Sequence, residues 1–462
     1  MFMKICQAFK PILRQAQHWS FRPISISLSP NTEKDDVWLA FKLLFQPWRW
    51  QREVGENGFP VIELERKFQE YLGVKYAISF NSGRSALMAI LSSFGLEKDS
   101  EVLLQAFTCN AVPNPVIWSN LKPVFIDVDE KTFNIDVEDL KRKISPKSKI
   151  VIVQHTFGLP AFAKATEGKP ADIDEILEIC RQGEEDKSSS SPFAEARGNN
   201  LILIEDCAHS LGAEYKGKKV GTFGRAAFFS FSRDKVISSV YGGMAVTNDE
   251  KLGQALRQAQ GEFGYPKFVW IFQQLLHPVL MNWLILPTYK FLGKYLLVLF
   301  QWLQILSKAV HWKEKRGEKP CYFPKRMPEA LAILALNQFK KLGRFNEHRQ
   351  KIAHFYYDNL KDTLFDLPPV SSSVREVFLR FTVRHSQAHD IIKKAWRKNI
   401  LIGDWYTSPV APYDTRLDKL QYKLGSCPKA EKLSKETLNL PTHINISFDD
   451  AKKIIEFLKQ YN

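Results

Sequence analysis

Cysteine is scarce. Six are spread over 462 residues (Cys6, Cys109, Cys180, Cys207, Cys321, Cys427), and no two form a C-x-x-C pair. Neither a zinc site nor a disulfide framework is indicated, which fits a reducing cytosol. No G-x-G-x-x-G follows a strand-like run, so the fingerprint of a dinucleotide-binding oxidoreductase is missing. A net charge of +15 suggests polyanionic partners. No Arg/Lys-rich tract carries interleaved aromatics, however, so no nucleic-acid partner is expected. An anionic membrane face or a phosphorylated substrate fits the charge better. Met1 to Lys10 lacks an uninterrupted apolar core and a clear cleavage site, making it a poor signal peptide. It reads as a frayed terminus or as a short basic amphipathic segment lying on a membrane. With 45 % hydrophobic and 25 % charged residues, the chain has the composition of a folded protein. Its length allows two or three domains.

Residues 201–243 hold the most informative pattern. Leu201-Ile-Leu-Ile204 is an apolar run that suits a strand buried on both faces, and Glu205-Asp206 closes it. In open α/β sheets, ligands sit beyond the carboxyl ends of the strands. Asp206 is therefore expected at the mouth of a crevice, with Ala208 and His209 on the turn that follows. A second β-like run, Ala226 to Phe231, carries Ser230 and delivers Lys235 just past its end. Carboxylate, small flat residue, hydroxyl and lysine form the set that a pyridoxal phosphate (PLP) site needs. The lysine bonds the aldehyde, the carboxylate keeps the pyridine nitrogen protonated, the small residue lets the ring lie flat, and hydroxyl and backbone N–H groups hold the phosphate. Singly, the lysine is an ordinary surface residue and the aspartate an ordinary turn or cap residue. Their joint spacing is what points to chemistry.

The pattern E-D-x-A-H-S-L-G-A, then S-F-x-x-x-K, then Gly242-Gly243 resembles the DegT/DnrJ/StrS family of nucleotide-sugar aminotransferases, of PLP fold type I. The resemblance is strong over about residues 55–255 and weaker over 323–462. It implies an α/β fold: a three-layer α/β/α large domain with a mostly parallel sheet, plus a small C-terminal α/β domain. It also implies that Lys235 is the Schiff-base lysine, that Asp206 pairs with the pyridinium, and that Ala208 packs on one ring face. His209 lies near the ring hydroxyl and Ser230 binds phosphate. Lys235, Asp206 and His209 are the expected catalytic set. Asn81-Ser82-Gly83-Arg84-Ser85 enters a helix, whose N-terminus suits an anion. The family motif there is S-G-T-x-A-L, with Arg84 in place of Thr, so phosphate contacts from Gly83, Arg84 and Ser85 are expected through backbone. Three more positions depart from the family. Cys109 stands where an aromatic usually stacks on the ring, Tyr241 where Glu is usual in G-E-G-G, and Pro324 at the Asn of N-x-R-M. Gly403-Asp-Trp405-Tyr406 resembles the family's loop at the substrate mouth. His443 is expected to be a capping or packing histidine.

The resemblance implies PLP as cofactor, glutamate or glutamine as donor, and a nucleotide-linked keto-sugar as acceptor, in surface-polysaccharide or amino-sugar biosynthesis. It also implies a cytoplasmic homodimer. Lys235, where the sugar dehydratases of the family carry histidine, favours amine transfer. The alternative is a non-catalytic member that binds PLP or a sugar nucleotide as a sensor or membrane-associated scaffold.

Four segments are expected: an arm (1–60), the PLP-binding domain (61–255), an apolar insertion (256–322) and the small domain (323–462). Within the second, surface insertions near 161–200 flank a helix at Asp172 to Cys180. In the third, Phe268 to Tyr289 holds no Asp, Glu, Lys or Arg, and neither does Tyr295 to Ser307. A membrane span needs about 20 mainly apolar residues. The first run is interrupted by Gln273, Gln274, Pro278, Asn282 and Pro287, and the second is too short. Two readings stay open: a hairpin over 268–306 that dips into the inner face of a membrane, or an insertion buried against the catalytic domain or a partner subunit.

Overall fold

Seven strands take up the apolar runs of the first half of the chain. They are β1 (Tyr76–Phe80), β2 (Glu101–Gln105), β3 (Lys122–Ile126), β4 (Ser148–Gln154), β5 (Ile202–Asp206), β6 (Ala226–Ser230) and β7 (Gly243–Thr247). The computed structural model describes residues 22–29, 31–51, 58–161, 172–185, 201–370 and 372–462. The strands form one sheet in the order β1-β7-β6-β5-β4-β2-β3. Every neighbouring pair is parallel except the two involving β7, which runs against both of its neighbours. Register places Asp206 between Gln154 of β4 and Phe228 of β6, so three strand ends meet at one edge.

The strands are buried on both faces, as continuous apolar runs require. Alternation along each strand divides the residues between two cores: Phe229, Leu203 and Val151 face one, and Phe228, Ile204 and Ile152 face the other. Helices α1 (Lys34–Leu44) and α2 (Phe59–Leu72) cover the first face with Leu43, Leu64 and Phe68. Gly73 ends α2 in the left-handed region, φ 72°, which glycine reaches without strain. Helices α3 (Gly83–Ser93) and α4 (Glu250–Phe263) cover the second face with Leu87, Ile90 and Leu256.

Residues 268–302 form a helical hairpin. Helix α5 (Phe268–Leu280) continues into a wider turn over Met281–Ile285, and Tyr289–Gly293 leads back into α6 (Lys294–Trp302). A Cβ on Gly293 would lie 2.0 Å from the Ile285 carbonyl oxygen, so only glycine lets the arms approach this closely. Ile271, Leu275 and Val279 of α5 enter the first core, and Trp283 packs on Trp38 and Phe41 of α1 at ring-centre distances of 5.1 and 4.9 Å. None of the nine residues of α6 is buried. The hairpin is thus packed on its inner side and open on its outer side.

Packing in the C-terminal half divides inside a helix. Helix α7 (Glu329–Phe339) and Leu342 at the start of α8 (Leu342–Leu360) belong to the first core of the large domain, whereas Ile352 onward joins a third core. That third core also holds β8 (Arg380–Arg384), α9 (Ala388–Arg397), β9 (Thr437–Pro441) and α10 (Phe448–Leu458). Ile24–Ser25 pairs with Ile400–Leu401, so part of the expected arm lies with this small domain. The chain crosses back once more: Val410–Ala411 pairs with Thr108–Cys109, which hangs residues 404–413 over the edge where the three strand ends meet. The helix expected at Asp172 is present as Asp172–Glu185. Of the loops expected at 162–170 and 182–199, residues 182–185 instead continue this helix, and the rest lie outside the described residues, as does the N-terminal basic segment.

Candidate active site

The carboxyl ends of β4, β5 and β6 and the N-terminus of α3 enclose a cavity of about 210 Å³. Gly83, Arg84, Cys109, Asp206, Ala208, His209, Ser230 and Lys235, spread over more than 150 positions in sequence, all line it.

Asp206 is the last residue of β5 and 4 % exposed. Its Oδ1 accepts the Ala208 amide at 2.9 Å. Burial raises its pKa to about 6, against the pull of that amide, Lys235 and His155. Its neighbour Glu205 points to the opposite face and is structural: it accepts the amides of Gly221, Phe223 and Gly224 at 2.7–2.8 Å and meets His155 Nε2 at 3.1 Å. Burial pushes the Lys235 ammonium down to about 8, with Cys109, Asp206 and Asp234 opposing it. The backbone of Lys235 is tied from the far side. Asn31 donates to the Lys235 carbonyl, and the fully buried Arg349 donates to Asn31 Oδ1 at 2.8 Å and to the Val236 carbonyl at 2.7 Å.

His209 lies between the Phe157 and Trp405 rings, at centre distances of 6.0 and 5.6 Å. Its Nδ1 accepts the Phe157 amide at 3.2 Å, which leaves the proton on Nε2. Burial, with Lys235 and Arg380 nearby, holds its pKa well below the usual histidine value. His209 is therefore a neutral donor toward the cavity.

At the other end, Ser82 caps α3 by accepting the Ser85 amide at 3.1 Å. A Cβ on Gly83 would meet Ser230 Cβ at 3.1 Å, and one on Gly243 would lie 2.4 Å from Gly83 N. Glycine at both positions lets the helix entrance sit directly on the sheet. The first-turn amides of Gly83 and Arg84 have no intrahelical acceptor and suit an anion there. Ser85 does not fit its expected role: its amide is taken by Ser82, its hydroxyl donates to Asn81 Oδ1 at 2.7 Å, and it is fully buried behind the cavity wall. The Ser82 cap takes the Ser85 amide that an anion would need.

Residues outside the 201–243 pattern complete the walls. Gln154 at the end of β4 lines the cavity, and so do Ala309 and Val310, which follow the hairpin, and Trp405 and Tyr406 from the crossing loop. Two departures from the family motifs engage that post-hairpin segment. Arg84 Nε lies 2.6 Å from Glu314 Oε2, and the Tyr241 hydroxyl donates to the Lys308 carbonyl at 2.9 Å while its ring packs on Trp270 of α5. No local signal in the sequence connects positions 84 and 314. Cys109 lines the cavity as expected, and burial raises its thiol pKa. His443 Nε2 donates to the Ser25 carbonyl at 2.7 Å, and the histidine packs as expected.

A sequence model of the DegT/DnrJ/EryC1/StrS aminotransferase family matches residues 50–184, 191–272 and 300–459, leaving 273–299 of the hairpin outside the match. The chain is 27 % identical over 414 residues to the GDP-perosamine synthase of Caulobacter vibrioides, covering 89 % of this chain and 91 % of that protein. It is 25 % identical over 405 residues to the dTDP-3-amino-3,6-dideoxy-alpha-D-galactopyranose transaminase of Aneurinibacillus thermoaerophilus, covering 87 % and 90 %. The solved aminotransferase from Psychrobacter cryohalolentis shares the fold: TM-score 0.67, 21 % identity, with 94 % of this chain and 97 % of that one covered.

Proposed function

The chain belongs to the DegT/DnrJ/EryC1/StrS aminotransferase family, and from that premise we propose that it moves an amino group from glutamate or glutamine to a nucleotide-linked keto-sugar, using pyridoxal phosphate held at Lys235. One observation carries the reading: Lys235, Asp206, Ser230 and the entrance of α3 line one cavity. Named relatives make or aminate GDP- and dTDP-linked sugars, and amino-sugar formation for a surface polysaccharide is the use we propose here. A cytoplasmic homodimer is part of this reading and rests on the resemblance alone. Contact of 268–306 with the inner face of a membrane is separate from this reading and rests on the apolar hairpin.

The residues fit the cofactor. A lysine poised near pKa 8 and a buried carboxylate sit in one cavity, and its far wall is a helix entrance where a Cβ on Gly83 would crowd Ser230. Gly83 and Arg84 amides with the Ser230 hydroxyl would hold the phosphate. Asp206 would hold the proton on the ring nitrogen, Ala208 would support a ring face, and His209 Nε2 would donate to the ring hydroxyl. When bound, PLP supplies an electron-poor ring that accepts the electron pair left on the amine-bearing carbon. Lys235 Nζ takes the proton from the donor's α-carbon and returns a proton on the other side of the transfer. Its lowered pKa leaves a useful fraction as free amine near neutrality. Asp206 stays mainly ionised at pH 7, one unit above its raised pKa. Trp405 and Tyr406 close the cavity from the small-domain side and keep water from the amine.

The test is incubation with glutamate or glutamine and a panel of keto-sugar nucleotides, with mass detection of the aminated sugar. An aminated product that is lost in Lys235→Ala supports the proposal. No product and no amine uptake from either donor returns the chain to the non-catalytic alternative.

A further inference from the structure

Helix α6 turns its apolar stripe outward. Tyr295, Val298, Leu299, Trp302 and the following Leu303 recur at i, i+3, i+4, i+7 and i+8, the spacing of a stripe that normally faces a core. All five are exposed, Trp302 by 76 % and Val298 by 66 %. The residues that turn inward are Leu297 and Phe300, which pack on Met281, Ile285, Leu286 and Leu306. Helix α5 divides the same way, with Ile271 and Leu275 in the core and Phe268, Val269 and Phe272 open. The Gln273 side chain donates to the Gln304 carbonyl, which keeps the open ends of the two helices together. A continuous apolar surface of this kind marks a place that something else covers.

Charge indicates what covers it. From Phe263 to Lys313 there is no Asp or Glu, and there are five lysines: Lys267, Lys290, Lys294, Lys308 and Lys313. Lys290 and Lys294 stand beside exposed aromatics, with ammonium groups 5.8 and 4.9 Å from the Phe291 and Tyr295 ring centres. A second copy docked through the same face about a two-fold axis would bring lysine toward lysine, with no carboxylate from this segment to answer. A layer of anionic headgroups supplies the missing charge. Exposed Trp, Tyr and Lys on an apolar helix are the composition that sits at headgroup depth. The buried inner face of α5 and the prolines at 278 and 287 favour lying on a bilayer over crossing it.

We propose that the outer face of the 268–303 hairpin docks peripherally on an anionic phospholipid bilayer, with its aromatic rings in the headgroup layer and its lysines over the charged surface. This does not depend on the amine-transfer reading. The test is co-sedimentation of the full PLP-loaded chain with vesicles of phosphatidylglycerol and phosphatidylcholine, set against phosphatidylcholine alone, with light scattering in parallel. Binding to the anionic vesicles alone is expected. It should weaken as salt shortens the screening length from ~30 Å at 0.01 M to ~10 Å at 0.1 M. Lys290→Gln and Lys294→Gln should each lower partitioning about fivefold, and Trp302→Ser at least about tenfold. Cofactor absorbance and the thermal midpoint should be unchanged in these variants, which shows that the fold is intact. A chain that ignores both kinds of vesicle overturns the proposal. So does self-association that Trp302→Ser abolishes, which would make a second copy the occupant.

Discussion

Replacing Glu314 with Gln is expected to loosen the proposed cofactor cradle. Glu314 is fully buried, and its carboxylate lies 2.6 Å from Nε of Arg84, itself only 8 % exposed. Burial by itself lowers the Arg84 pKa, and Glu314 together with Tyr241, Cys109 and Tyr322 more than reverses that. Burial likewise raises the pKa of Glu314 against the pull of Arg84. Once the carboxylate is neutralised, the guanidinium keeps the Ala309 carbonyl at 3.3 Å and the face of Phe323 at 5.3 Å, which is thin compensation in a dry site. Removing one member of a buried pair costs about 3–5 kcal/mol. Gln retains an acceptor for the His311 amide, now 2.8 Å from Oε1, so the lower end, about 3 kcal/mol, is expected. Arg84 stands in the first turn of α3, so part of the loss should reach the cavity, at about tenfold in PLP affinity per 1.4 kcal/mol. Titrating PLP into the apo-protein and urea unfolding of the same samples measure the two shares. Removing both charges, as in Arg84→Met with Glu314→Leu, should recover most of the stability. Wild-type stability and PLP affinity in Glu314→Gln would refute the reasoning, and so would a double variant no better than the single one.

Other changes test the cavity directly. Asp206→Asn should retain PLP but slow single-turnover amine uptake from the donor by about 100- to 1,000-fold, the loss usual when one preorganised charge is removed. Unaltered turnover would exclude the pyridinium role. Capture of PLP by the apo-chain should speed up as pH rises through about 8, because burial lowers the Lys235 pKa to that value and only the neutral amine attacks. A stopped-flow profile still rising with a midpoint near an ordinary lysine value would contradict this. Gly243→Ala puts a methyl group 2.4 Å from Gly83 N. It should cost about 1–3 kcal/mol and weaken PLP binding more than binding of pyridoxal, which lacks the phosphate; equal losses would move the phosphate elsewhere.

The sheet was legible because its strands are short apolar runs buried on both faces, and Leu201 to Asp206 shows in six residues both the run and the polar group at its end. Asp206, Ala208, His209, Ser230 and Lys235 could be picked out because they lie within 30 positions, at the ends of two adjacent strands and on the turns that leave them. Ser85, expected at the phosphate, is not part of the cavity lining, because the same Gly-rich helix entrance serves capping and anion binding and sequence does not say which first-turn amide the cap takes. Ala309, Val310 and the Arg84–Glu314 contact were out of reach because they depend on a segment that begins 225 residues away from Arg84. The division of packing inside α8 could not be placed from sequence: its first half buries Leu342 and Phe345 beside the polar Asn346 and Arg349, its second half Ile352, Ala353, Tyr356 and Leu360, and nothing in either set names the core it joins. The hairpin shows the remaining limit: its apolar content was plain, but which side faces the protein was decided by α1 and Trp283.

The most direct test of the central claim is chemical. Borohydride reduction of the PLP-loaded chain fixes the cofactor to the amine that holds it, and peptide mass spectrometry then locates the tag. The tag should fall on Lys235, and Lys235→Ala should lose both tag and amine transfer. A tag on any other lysine, or a Lys235→Ala chain that still aminates a keto-sugar, would contradict the account.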